Sequence, residues 1–408
     1  MTRAPEHHAH CAARRPRRSL RHVALALVAA AVVLVVVVAV AADGDPGDTA
    51  ITAVPFGALL LVLVALAAVG VALARRPVRR ALAVVALVVA VFLGAAAALN
   101  LHFEYYLTLG QAVGLQPSDQ ETVDELLRQD SDPGPGVVAP ISVPATRSGF
   151  AARPGLIYVP PAFFARPRPA LPVILLLHGT PGTPQDWVNG GQAAQTSDAF
   201  AAAHDGRAPI LVMPDVNGSE TADTECVDGP AGRVETYLTA DVPAYVTTTF
   251  RTRPTGSSWA VAGLSEGGSC AIMLALRHPG LFGTFGDYSG LAGPRAGDTN
   301  ADTASTVAQL FGGSPSAFAA HEPATILASK RFAELGGWFE VGDADPEPAA
   351  AQATLVPAAR RAGVAVCSVV VPGGGHTFDV FSAAFADSLP WMAGRLGIGS
   401  PGASCPQQ

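Results

Sequence analysis

The pattern of apolar and polar positions changes character near residue 101. Before that point three stretches, 23–42, 54–74 and 81–101, contain no charged residue. Each is long enough to cross a hydrocarbon layer, which takes about 20 helical residues. A core helix of a globular domain keeps a polar face, and these have none, so the pattern predicts three transmembrane helices. Beyond residue 136 the pattern becomes one of short apolar runs, at 137–143, 156–159, 173–178, 210–213, 259–262, 284–288, 338–341 and 364–371. Helical periodicity falls between most of the later runs, at 193–203, 239–249, 265–277, 349–362 and 382–396. Buried strands alternating with helices predict an α/β fold, a largely parallel sheet covered on both faces. The first two runs have no helix between them and predict an antiparallel edge.

Between the two regions, 120–129 reads as a short polar helix, and Asp-Ser-Asp-Pro-Gly-Pro-Gly at 130–136 is turn chemistry that marks a boundary. Phe103, Tyr105 and Tyr106 follow the last span and suit an interfacial aromatic belt. The expected organisation is a membrane region at 1–101, a juxtamembrane linker at 102–135, an outer domain at 136–399 and a tail at 400–408.

Charge adds direction. Arg14, Arg15, Arg17, Arg18 and Arg21 precede the first span, and Arg75, Arg76, Arg79 and Arg80 fill the loop between the second and third. The loop between the first and second holds Asp43, Asp45 and Asp48. The positive-inside rule then places the N-terminus in the cytoplasm and everything after residue 101 outside, as expected of a multi-pass protein of the cell membrane. Ala39-Val40-Ala41 resembles a signal-peptidase site, but the apolar run before it exceeds the roughly 7–15 residues of a signal core, so an uncleaved anchor is expected. Ten of the 26 basic residues but only four of the 33 acidic ones precede residue 81, which leaves the rest of the chain strongly acidic. That balance argues against nucleic acid as a partner.

Candidate chemistry centres on Gly263-Leu264-Ser265-Glu266-Gly267. With glycine at 42 of 408 positions, such a spacing alone is weak. Its place, between a strand pattern and a helix pattern, makes it a strand–turn–helix elbow with a serine at the apex. A serine hydroxyl needs an imidazole to take its proton. Of ten histidines, His7, His8, His10 and His22 precede the first span and His102 abuts the last; His204, His278 and His321 read as solvated surface. His376, in Pro-Gly-Gly-Gly-His after the run 364–371, is placed to reach Ser265. The orienting acid is expected after the run 338–341, where Asp345 is preferred over Asp343, with Glu340 a remote third. The order Ser265, Asp345, His376 is that of α/β-hydrolase triads. The oxyanion donors are expected to be the N–H groups of Glu266 and of Thr180, in His178-Gly179-Thr180-Pro181-Gly182; Pro181 has no N–H. His178 then reads as a structural hydrogen-bonder.

Cys11 lies before the first span, and Cys226, Cys270, Cys367 and Cys405 in the outer domain. In an oxidising compartment four cysteines suggest two bridges. A parallel sheet brings the loop bearing Cys226 to the edge where Cys270 follows Ser265, so Cys226–Cys270 is predicted, with Cys367–Cys405 second; buried free thiols at 270 and 367 are the alternative. No cysteine or histidine spacing suits a metal, and no cofactor is expected.

The segments LPVILLLHGTPGTPQDW, GLSEGG followed by CAIMLALRHP, FEVGDADP and GGGHTF, from Leu171 to Phe378, resemble the esterase D family of α/β-hydrolases. That family includes feruloyl and enterochelin esterases and the mycolyltransferases of actinobacteria. The resemblance implies that Asp345 is the family's G-x-x-D acid and Thr180 its oxyanion residue. Glu266 departs from the family, which often has an apolar residue there, and three spans are not general to it. The expected function is a membrane-anchored, extracytoplasmic serine esterase that cleaves carboxylic esters through an acyl-enzyme, with an envelope lipid or glycan as possible substrate. Acyl transfer to a sugar or lipid alcohol, and a non-catalytic binding module on a hydrolase fold, remain as alternatives.

Overall fold

The computed structural model describes residues 76–103, 105–106, 122–129, 134–399 and 405. The predicted spans 23–42 and 54–74 lie outside the described residues. The chain divides into two compact units, Met1–His102 with Thr108–Gly114, and Phe103–Leu107 with Leu115–Gln408. In the first unit the described element is helix α1 (Pro77–Phe103), whose last residue belongs to the second. At 1.5 Å per residue its 27 residues measure about 40 Å. Val84, Val85, Val88, Val89, Val91, Phe92 and Leu93 are all exposed along it. Counting described side chains only, no helix is long and apolar enough to cross a membrane; those of 79, 80, 82, 83, 101 and 102 are outside that count.

The second unit opens with α2 (Val123–Arg128), where Thr122 and Glu125 form a reciprocal capping box within the predicted polar helix. Besides a two-residue pair, Asp228–Gly229 with Gly232–Arg233, its strands are β1 (Val137–Ile141), β2 (Gly155–Val159), β3 (Val173–Leu177), β4 (Ile210–Met213), β5 (Gly256–Leu264), β6 (Phe282–Tyr288), β7 (Gly336–Gly342) and β8 (Ala365–Val371). The interleaved helices are α3 (Ala193–Ala202), α4 (Val242–Phe250), α5 (Glu266–Arg277), α6 (Thr303–Leu310), α7 (Pro315–His321), α8 (Pro323–Ser329), α9 (Pro346–Arg361) and α10 (Phe378–Arg395). Each predicted run is a strand, within a few residues. The helices α6 to α8 were not anticipated. Their sequence is rich in Ala, Ser and Thr and punctuated by Gly312, Gly313, Pro315 and Pro323, which reads as loop. Proline at the first helical turn and side-chain caps from Asp302 and Ser314 turn that punctuation into helix starts.

The eight strands form one sheet in the order β1-β2-β4-β3-β5-β6-β7-β8. β1 and β2 pair antiparallel, β2 meets β4 antiparallel, and every later pairing is parallel. β3 shows why the sheet is covered twice. Val173, Leu175 and Leu177 join one core cluster with α4, α5 and α9, while Ile174 and Leu176 join a second with α3 and α10. Strand order reverses between β4-β3 and β3-β5, so the carboxyl ends of β3 and β5 lie side by side, with Leu177 paired to Gly263. In open α/β sheets a crevice forms at such a reversal. Two disulfides, Cys226–Cys270 and Cys367–Cys405, follow the predicted pairing, with Cα separations of 5.7 and 5.5 Å. The first ties the loop after β4 to α5; the second ties β8 to the C-terminal tail.

Candidate active site

At the end of β5 the chain reverses into α5 through Ser265, whose φ is +56°. A left-handed φ at a non-glycine residue costs about 1–3 kcal/mol and persists only where its surroundings impose it. Here they do. The Ser265 N–H donates to the Tyr288 carbonyl (2.9 Å), and its own carbonyl accepts from Gly268 N–H (2.8 Å). A Cβ on Gly263 would run into the Gly267 backbone, and one on Gly267 into the Leu177 carbonyl. Both elbow glycines are therefore required by close approach.

Two loops at neighbouring strand ends carry the other members. After β7, Asp343 N–H donates to Val371 O (3.1 Å) and Ala344 N–H to Gly374 O (2.9 Å), while Gly373 N–H donates to Asp343 Oδ1 (2.6 Å). The acid loop and the histidine loop are thus joined across their backbones. The contact between Asp345 Oδ2 and His376 Nδ1 is 2.6 Å, and that between His376 Nε2 and Ser265 Oγ is 2.9 Å. Asp345 is almost fully buried, whereas His376 is partly open to the cavity. A carboxylate can only accept, so Nδ1 carries a proton and Nε2 is left to accept the serine proton. An aligned alcohol, imidazole and carboxylate of this kind can move a proton off the hydroxyl as the oxygen attacks. The structure leaves the Asp343 carboxylate on the Gly373 N–H, and Glu340 faces away, its Oε2 accepting from Trp338 Nε1 (2.8 Å).

Thr180 and Glu266 line the same cavity as Ser265. Glu266 is the first residue of α5, where an N–H has no intrahelical acceptor. Its side chain, the departure from the family pattern, is buried and accepts from Asn217 Nδ2 (2.7 Å), Glu225 N–H (3.0 Å) and Thr224 N–H (3.3 Å). It holds the loop after β4 onto the elbow. The loop carrying Thr180 is set by a second buried group not singled out in the sequence. Asp215 accepts from Arg153 N–H (2.7 Å), Nε (3.0 Å) and Nη2 (2.6 Å), while the same Nη2 donates to Gly182 O (2.9 Å). His178 contacts Gly179 O through Nδ1 (2.8 Å) and Asp215 Oδ1 through Nε2 (3.2 Å). Burial alone would raise the Asp215 pKa, but the hydrogen bonds from His178 and Arg153 hold it well below the usual range.

The cavity shared by Thr180, Ser265, Glu266 and His376 measures about 270 Å³ and has an acidic wall of Asp223, Glu225, Asp298 and Glu347. Asp223 Oδ1, Glu225 Oε2 and Ser289 Oγ are buried on it without a hydrogen-bond partner among the described residues. Burial, reinforced by the charge of Glu266, pushes Asp223 up to about 7; burial and the neighbouring Asp223 and Glu266 push Glu225 well above the carboxylate range. An unfolded aspartate titrates near 3.9, so the native state binds the extra proton and loses stability as pH rises from about 4 through about 7. Asp223→Asn removes that loss, on the order of a few kcal/mol at most. Its melting temperature should exceed the parent's at pH 8 and converge with it near pH 4; equal values at pH 8 would refute this reading of the wall. The density of acids in 215–228 was the available sequence signal.

His278 and His321 are not solvated surface as expected. Both reach Glu235, at 2.6 and 2.9 Å, in a network completed by Arg277. Among the described residues no group of three or more His, Cys, Asp or Glu side chains can hold a metal ion.

The Esterase family model matches residues 151–392. An uncharacterized protein of Corynebacterium glutamicum is 35% identical over 327 residues, 76% of this chain and 76% of its own. The chain belongs to the Esterase family. It is an enzyme of the esterase class, an esterase or an acyltransferase. Over a shorter stretch of 60 residues, 15% of this chain and 17% of its counterpart, the chain is 45% identical to the diacylglycerol acyltransferase/mycolyltransferase Ag85A of Mycobacterium gordonae. A solved ferulic acid esterase shares its fold, with a TM-score of 0.54 at 22% identity over 64% of this chain and 98% of that one. The sheet and its flanking helices are thus an α/β-hydrolase fold.

Proposed function

We propose that this esterase is a membrane-anchored serine hydrolase that cleaves carboxylic esters outside the cytoplasm through an acyl-enzyme. The observation that carries the proposal is the unbroken chain Ser265–His376–Asp345 at a strained elbow. Ser265 Oγ attacks the ester carbonyl as His376 Nε2 takes its proton. The N–H groups of Glu266 and Thr180 hold the oxyanion, and Asp345 stabilises the imidazolium that forms. His376 then protonates the leaving alcohol. Water enters by the same relay, releases the acid and restores Ser265.

Anchoring is supported by α1, which carries almost all of the exposed large apolar side chains among the described residues, and by the two further uncharged runs at 23–42 and 54–74. The arginine distribution supports an outward-facing site. Acyl transfer is a second reading favoured by the acidic cavity. Its lining of Asp223, Glu225, Ser289, Asp298 and Glu347 suits a hydroxyl-rich alcohol that would displace water as acceptor. A membrane-impermeant fluorophosphonate applied to intact cells tests the proposal. The chain should be labelled at Ser265 and sediment with membranes. Labelling only after lysis would reject the outward site, and no labelling at all would reject the hydrolase. Adding a polyol to the purified enzyme should divert acyl groups from water only if the second reading holds.

A further inference from the structure

A second cavity, of about 300 Å³, shares Thr180, Ser265 and His376 with the first but includes none of the acids of its wall. Its lining is apolar, from Phe103, Tyr105, Pro181, Leu264, Phe378 and Phe381. We infer that Phe103 and Tyr105, which immediately follow the last apolar run, complete a pocket for the acyl chain of the substrate, so that the enzyme takes medium-chain fatty-acyl esters. The inference rests on the proposed function, since it presumes that the two halves of an ester part at Ser265.

The geometry separates those halves. Tyr105 is turned so that its hydroxyl donates to Asp186 Oδ1 (2.7 Å), while Asp186 also accepts from Thr183 Oγ1 (3.0 Å) and Thr183 N–H (3.1 Å). The polar atoms at this edge are thus spent on one another, and Tyr105 presents its ring. That ring meets Phe378 edge-on at 5.2 Å, Phe378 meets Phe381 at 5.6 Å, and Phe381 meets the His376 ring at 5.1 Å. An aromatic wall therefore runs from the juxtamembrane residues to the catalytic imidazole. A Cβ on Gly190 would collide with the Phe378 ring, so this part of the wall is closely seated. At about 30 Å³ per water-sized group, the cavity accommodates a chain of up to roughly ten carbons. Phe103 and Tyr105 lie outside residues 151–392, so their part of the wall is an addition to the part of the chain that the family model matches, which holds Phe378 and Phe381.

Each methylene buried in such a pocket should raise kcat/KM about fourfold. In the full-length chain in detergent, p-nitrophenyl esters from acetate to dodecanoate should show that rise and level off near ten carbons. Phe103→Ala and Tyr105→Ala should lower the octanoate-to-acetate ratio at least tenfold, whereas Tyr105→Phe, which keeps the ring, should retain most of it. Phe103→Trp, which fills the pocket, should move the optimum to shorter chains; circular dichroism confirms that each variant is folded. Ester turnover with an unchanged ratio in both alanine variants overturns this inference and leaves the proposed function standing. No turnover of any ester by a wild-type chain whose Ser265 resists fluorophosphonate overturns both.

Discussion

Replacing Ser265 by alanine is expected to lower ester turnover on the order of 10⁶-fold, to the level left by binding and oxyanion contacts alone. Among the described residues no other hydroxyl meets His376. Thr180, Ser269 and Ser289 line the same cavity, but Thr180 Oγ1 donates to Ala222 O, Ser269 Oγ accepts from Leu291 N–H and Ser289 Oγ is buried without a partner among the described residues, whereas Ser265 meets His376. The strained turn matters as much as the hydroxyl, since it holds Oγ over the crevice where β3 and β5 end. Steady-state kinetics on a short ester, together with fluorophosphonate labelling, reads the effect. Residual turnover within tenfold of the parent would move the nucleophile elsewhere.

The second large effect separates two aspartates that stand two positions apart. Asp345→Asn should cost about 10⁴-fold in kcat, because an amide facing Nδ1 favours the tautomer whose Nε2 carries a proton and cannot act as base. Asp343→Asn should cost less than tenfold. Its carboxylate accepts from Gly373 N–H, a contact that an amide oxygen reproduces. The loss in Asp345→Asn should appear in kcat across the chain-length series, unlike the changes at Phe103 and Tyr105. Equal effects at the two aspartates would mean that the acid loop, not one side chain, is what His376 requires.

The sheet was legible because its strands are contiguous apolar runs buried on both faces, and β3, Val-Ile-Leu-Leu-Leu, has no other plausible use. The elbow was legible because only glycine fits at 263 and 267. Once Ser265 was placed, the strand-end rule brought Asp345 and His376 to it, and the same rule paired Cys226 with Cys270. What stayed hidden has no period. Arg153 and Asp215 meet across 62 positions, and neither residue stands out from its neighbours. Tyr105 read as a membrane-interface aromatic because composition shows its preference for such places, not its bond to Asp186. Glu266 was visible as an anomaly. Its use as the acceptor for the backbone of the loop after β4 depended on a fold that the motif could not describe.

That loop is held by hydrogen bonds to Glu266, Thr180, Gly182 and Gly297, and covalently by the bridge from Cys226 to Cys270 on the nucleophile helix. Enzyme produced in a reducing cytosol would emerge with Ser265, His376 and Asp345 already aligned, since none of their contacts runs through the bridge. Asp223 and Glu225 would then be held by hydrogen bonds alone, from Gly297 N–H to Asp223 and from Glu225 N–H to Glu266. Reduction of the bridge should therefore loosen discrimination among alcohols more than it lowers turnover of activated esters, a separation of selectivity from catalysis built into one covalent link.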